Sequence, residues 1–180
     1  RMQNKKLADL RTINQKCSDF IDQRNGKPVY RRIPFCGTFG KIKLRFRQSC
    51  DVSAHVSETL NDVMHGVARR TVVGYTSPLD DKIANYDTYY LFIPNGFKCF
   101  YPRNFTDSAS IETIRKTVDE LISDPDDLIE TIVKLDYYMG NSIKDIPKTT
   151  NEIAFFGVPC FYVVHADAYE TYADLIRDMK

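Results

Sequence analysis

The chain has 180 residues, enough for one domain with a real core and cramped for two, and its 43% hydrophobic and 27% charged residues suit a folded protein. A formal net charge of +1 offers no bulk attraction for nucleic acid, and no apolar run nears the roughly 18 residues that span a membrane. Five cysteines without CxxC spacing, and three histidines with no Cys at zinc spacing, argue against a disulfide framework or a structural metal, so a reduced cytoplasmic protein is expected.

In chain order, residues 5–24 place Leu7, Leu10, Ile13, Cys17, Phe20 and Ile21 three and four apart, one stripe of an amphipathic helix that Asn25-Gly26 stops. Pro28-Val29-Tyr30-Arg31-Arg32-Ile33 reads as a short strand, followed by a loop through Cys36-Gly37. Residues 41–47 alternate, with Ile42, Leu44 and Phe46 on one face and Lys41, Lys43, Arg45 and Arg47 on the other. Such a stripe suits an edge strand kept soluble by charge; the same four cations would also meet the phosphates of a nucleic acid. Ser53 can cap a helix over Val56, Leu60, Val63, Met64 and Val67, on which His55 and His65 fall off a common face.

Residues 71–77 form a strand running into the hydroxyls of Thr76-Ser77. Two β-rich runs, Thr88 to Ile93 and Phe97 to Tyr101, flank Asn95-Gly96 and predict a hairpin. A helix starting at Ser108 or Ser110 breaks at Asp124-Pro125, and another covers 126–139. A polar linker then leads to Glu152, whose strand Ile153-Ala154-Phe155-Phe156 is expected to fold back through Gly157-Val158-Pro159 onto Cys160 to Val164. Residues 168–179 close the chain as a short helix. Strands and helices alternate unevenly, which predicts a single α+β domain over 1–180: an N-terminal helix over 1–26, a core over 27–164 and a C-terminal helix over 165–180. No GxGxxG or GxxxxGK[ST] pattern is present, so neither a Rossmann nor a P-loop site is indicated.

Three short motifs occur in a particular order: Tyr30-Arg31 on a strand, Tyr75-Thr76-Ser77 at a strand end, and Glu152-Ile153 with Gly157, Phe161 and Val163 behind it. In that order they resemble the arginine/serine/glutamate class of mono-ADP-ribosyltransferases, which includes bacterial toxins and bacteriophage enzymes. The resemblance runs from about residue 27 to 164. It implies two facing small β-sheets with flanking helices around an NAD cleft, and transfer of ADP-ribose from NAD to a macromolecular acceptor with release of nicotinamide. It further implies Glu152 as the catalytic acid, Arg31 as the anchor of phosphate and ribose, Tyr75, Thr76 and Ser77 on the cofactor, and Thr150 at the acceptor-side position. A protein acceptor is expected, or nucleic acid through Lys41, Lys43, Arg45 and Arg47; neither a metal nor a membrane is.

The sequence departs from the family pattern in three places. Arg32 stands where the usual glycine would be, Tyr75 replaces the first serine of Ser-Thr-Ser, and Thr150 replaces the first acid of the Glu-x-Glu loop. Loss of that acid points to an acceptor other than arginine, to simple NAD hydrolysis, or to a non-catalytic copy. The competing expectation is a non-catalytic binding protein, such as a virus-encoded inhibitor or transcription modulator, that acts on a host partner through the basic strand and exposed tyrosines.

Overall fold

A computed structural model describes residues 2–45, 70–77, 85–103, 137–148 and 150–168. The expected first helix is two: α1, Met2–Lys16, and α2, Ser18–Arg24. They break at Cys17 (φ −117°, ψ 24°), the fully buried midpoint of the apolar stripe. The break lets Leu10, Ile13 and Phe20 reach the same core from two helix directions. Asn25 ends α2 in the left-handed region (φ 48°, ψ 49°), its N–H donating to Ile21 O, and Gly26 continues the turn at φ 81°. Among the described residues, no helix is long and apolar enough to cross a membrane.

Among the described residues eight strands follow: β1 Tyr30–Pro34, β2 Phe39–Lys43, β3 Val72–Tyr75, β4 Tyr86–Phe92, β5 Lys98–Pro102, β6 Tyr137–Gly140, β7 Glu152–Phe156 and β8 Cys160–His165. They form one sheet in the order β2-β8-β4-β1-β3-β7-β5-β6, with every pairing antiparallel. The protein is thus mixed α and β. Instead of two separate sheets, the ladder is continuous from edge to edge. Its weakest join is central, because β1 and β3 register only at Tyr30↔Tyr75.

Both expected hairpins resolve differently. β4 pairs with β1 and β8, whereas β5 pairs with β7 and β6. The Asn-Gly segment therefore carries the chain across the β1–β3 join instead of folding it back. A type I′ turn needs positive φ at both central residues. Gly96 has it (87°), but among the described non-glycine residues only Asn25 and Asn85 do. Asn95 is instead committed to the helices: its N–H donates to Lys16 O at 2.7 Å, and its Oδ1 accepts the Asp19 N–H at 2.9 Å. The turn after β7 behaves likewise. Gly157 bends the chain at φ 79°, but Pro159 O accepts the Leu44 N–H at 2.9 Å, and β8 is delivered between β2 and β4, away from β7.

The residues at the end of the expected 126–139 helix, Tyr137, Tyr138 and Met139, lie in β6. The rest of that helix, the helices expected after Ser53 and after Ser108 or Ser110, and the closing helix beyond residue 168 lie outside the described residues, as does Arg47. β2 sits at the sheet edge, with Lys41 and Lys43 exposed and Ile42 packed on the core, which is the arrangement its alternation predicts.

The core gathers around Phe20 of α2. Its ring meets Phe92 of β4 at 6.1 Å, Phe97 at 6.2 Å and Phe155 of β7 at 5.7 Å, all edge-on. Phe92 and Phe155 belong to opposite sides of the β1–β3 join, so one aromatic ring clamps the two groups of strands together. Close packing at the join also explains Gly74. A β-carbon there would fall 2.3 Å from Val29 Cγ1 and 2.9 Å from Leu91 Cδ1, so only glycine fits.

Candidate functional site

The single β1–β3 pair has a consequence for the predicted site. Tyr30 faces Tyr90 of β4 on one side and Tyr75 of β3 on the other, and Tyr75 faces Glu152 of β7. Directly opposed residues of an antiparallel ladder share a face. Tyr90, Tyr30, Tyr75 and Glu152 therefore form one row across four adjacent strands, each partly buried. The Tyr30 and Tyr90 rings meet edge-on at 5.0 Å.

Below this row, the end of β3 is stitched to the loop before β7. Thr76 N–H donates to Asn151 O at 2.8 Å, and the Thr76 hydroxyl donates to Thr150 O at 2.9 Å. Ser77 N–H donates to the Asn151 side-chain oxygen at 3.1 Å. Thr150 N–H closes the loop on Pro147 O at 2.9 Å. These four bonds fix the loop from which Glu152 projects. The structure brings together Tyr75, Thr76, Ser77, Thr150 and Glu152, separated by more than seventy positions in sequence.

Two details refine the roles. Thr150 is 1% exposed, so its side chain lies inside the loop and presents nothing to an incoming acceptor. Asn151, which the motifs did not include, holds the end of β3 through its backbone and side-chain oxygens, beside the Thr76 hydroxyl. Its signal was an Asx residue immediately before a strand, a type that habitually bonds nearby backbone.

Arg31 is not brought onto the row. It follows Tyr30 in a pleated strand and so turns to the opposite face, where its Nη1 donates to Val73 O at 2.8 Å. Arg32, two residues beyond Tyr30 and opposite Thr88, returns to the face of Glu152. Arg31 lines a groove of about 290 Å³ together with Lys43 and Arg45.

A second polar cluster lies at the far end of β4 and β8. His165 Nε2 is 2.9 Å from Asp87 Oδ2, while Nδ1 accepts the Asp167 N–H at 3.2 Å, so the proton sits on Nε2 and points at Asp87. Beside it, the Tyr89 hydroxyl donates to Gly37 O at 2.8 Å and accepts the Cys36 N–H at 3.0 Å. Burial pushes this phenol up to about 12. It is a fully buried strut, tying the loop after β1 to the sheet.

Cys17, Cys36, Cys99 and Cys160 are free thiols. Burial pushes the Cys17 thiol up, and that of Cys99 to about 12, so neither is a ready nucleophile. Among the described residues, no group of three or more His, Cys, Asp or Glu side chains is placed to hold a metal ion.

Set against known proteins, the chain matches no family model, no curated protein and no solved structure.

Proposed function

We propose that this protein is an ADP-ribosyltransferase-like enzyme that cleaves NAD at the nicotinamide–ribose bond and passes ADP-ribose to a macromolecular acceptor. The observation that carries the reading is the convergence of Glu152 with Tyr75, Thr76 and Ser77 on adjacent strands, with the arginine-bearing strand β1 next in line. In this reading the two groups of strands on either side of the β1–β3 join stand for the two facing sheets of that family.

The chemistry asks little of the protein beyond electrostatics. The C1′–N bond breaks with its electron pair going to the pyridinium nitrogen, so nicotinamide leaves neutral without needing a proton. Positive charge develops on the ribose, as in glycoside transfer. The Glu152 carboxylate accepts the ribose 2′-hydroxyl and faces that charge. Tyr75 and Tyr30 offer ring surface to the planar nicotinamide. Thr76, Ser77 and Asn151 position Glu152. The cation for the diphosphate comes from β1, and Arg32 takes that role because it shares the face of Glu152; Arg31 ties β1 to β3. The acceptor's nucleophilic atom then bonds to C1′ and gives up a proton. With a buried threonine at 150 in place of a second acid, that position offers no carboxylate to present an arginine. The acceptor is therefore another nucleophile.

A non-catalytic binding protein is the competing reading, favoured by the exposed cations of the edge strand β2 and by that missing acid. Incubating purified protein and lysate with isotope-labelled NAD, followed by mass spectrometry of proteins and nucleic acids, separates the two. Transfer predicts labelled ADP-ribose on a macromolecule, absent with Glu152→Gln. The same background labelling with and without the protein favours the binding protein.

A further inference from the structure

The groove beside Arg31 is separate from the Glu152 row and has a lining of its own. It occupies the opening left where β1 and β3 pair only at Tyr30↔Tyr75, and it runs from β1 to the end of β2. Arg31, Lys43 and Arg45 converge on it from two strands and the residues just after β2, and among the described residues no carboxylate lines it. Lys43 and Arg45 are exposed and form no ion pair among the described residues. The Arg31 guanidinium is held in direction by the Val73 carbonyl. The floor is apolar: Ile33, Val72 and Phe161 are 8%, 3% and 5% exposed.

Cations at the rim and an apolar lining select a ligand that is anionic at one end and apolar at the other. A simple inorganic anion would leave the floor unused, and a neutral ring would leave Lys43 and Arg45 without a counter-charge. At about 290 Å³ the groove has room for roughly one nucleotide. We propose that it binds a nucleoside phosphate, the phosphate held by Arg31, Lys43 and Arg45 through charge-assisted hydrogen bonds and the base laid on Pro34, Ile42 and Leu44, the accessible apolar residues of the lining. The ligand is either a free mononucleotide or the 5′ end of a single strand, which share this chemistry. The inference does not rest on the transferase reading, since Glu152 takes no part in it.

Calorimetric titration of the full chain tests it, with AMP, adenosine, inorganic phosphate and a 5′-phosphorylated pentathymidylate as probes. AMP or the pentathymidylate is expected to bind at least about tenfold more tightly than adenosine or phosphate, with affinity falling as salt is raised. Tighter binding of the oligonucleotide assigns the strand end as source; equal or weaker binding assigns the free nucleotide. The double variant Lys43→Ala/Arg45→Ala, which alters exposed side chains only, is expected to lose about tenfold or more.

A second readout locates the ligand. Cys36 is exposed and lines the groove, so the bound nucleotide slows its alkylation, followed by mass spectrometry of its peptide. No binding of either nucleotide probe at millimolar concentration would overturn the proposal. So would phosphate binding as tightly as they do (an adventitious anion site only), affinity indifferent to the double variant, or alkylation of Cys36 at an unchanged rate.

Discussion

Arg31 and Arg32 are neighbours with the same charge, yet the pleat sends them to opposite faces, and only Arg32 shares a face with Glu152. The resemblance implied Arg31 as the anchor, yet alternation along a strand says only that at most one of the two faces a given cleft, not which. That depends on the register of β1 against β3, a one-residue matter set by strands far away in the chain. Glu152 and the hydroxyls were more legible, because their places at strand ends follow from local pattern. Tyr89 carries a prediction at this scale. Its folded phenol sits near 12 against an ordinary 10.0, and the Cys99 thiol near 12 against 9.0, both because burial disfavours the charged form. Raised folded values mean that the folded state holds these protons more tightly than the unfolded one. The stability they contribute is complete below about pH 9 and is lost as pH rises towards 12. Urea midpoints measured from pH 8 to 12 are expected to fall across that window, and to fall less between pH 10 and 12 in Tyr89→Phe. Equal slopes would contradict the assignment.

Helix α2 is seven residues long, too short to be stable alone, and its N-cap residue Cys17 supplies no side-chain bond. The cap comes from outside. Asn95, at the turn between β4 and β5, accepts the Asp19 N–H and exchanges contacts with Ser18 Oγ at 3.0 Å. Replacing it, Asn95→Ala, removes this side-chain cap and is expected to cost about 0.5–2 kcal/mol. Chemical denaturation reads the loss, and an unchanged midpoint would remove Asn95 from this role. The same residue explains why the elements were legible and their partners were not. Alternating β-rich runs announce strands, and Asn-Gly announces a turn, but a hairpin forms only if the turn's polar groups are free to close it. Here they are spent on α1 and α2. Tyr137 to Met139 fail for a related reason: apolar and aromatic residues that continue a helical period also suit a strand, and pairing with Tyr101 and Phe100 decides.

At the scale of the whole molecule, a continuous antiparallel sheet joined weakly at its centre is clamped by one phenylalanine from an N-terminal helix. That join is where the candidate chemistry collects: the Tyr–Tyr–Tyr–Glu row on one face and the cationic groove on the other. The α+β class was legible from the uneven alternation of elements. The single sheet was not, because strand order is decided by crossovers that leave no local trace. The account's central claim is that Glu152, held by the end of β3, acts on NAD. The most direct test is nicotinamide release from NAD by the purified chain and by Glu152→Gln, with equal urea midpoints showing that both are folded. The account predicts measurable release by the native chain and a loss of about a hundredfold or more in the variant. Release at the same rate from both would contradict it.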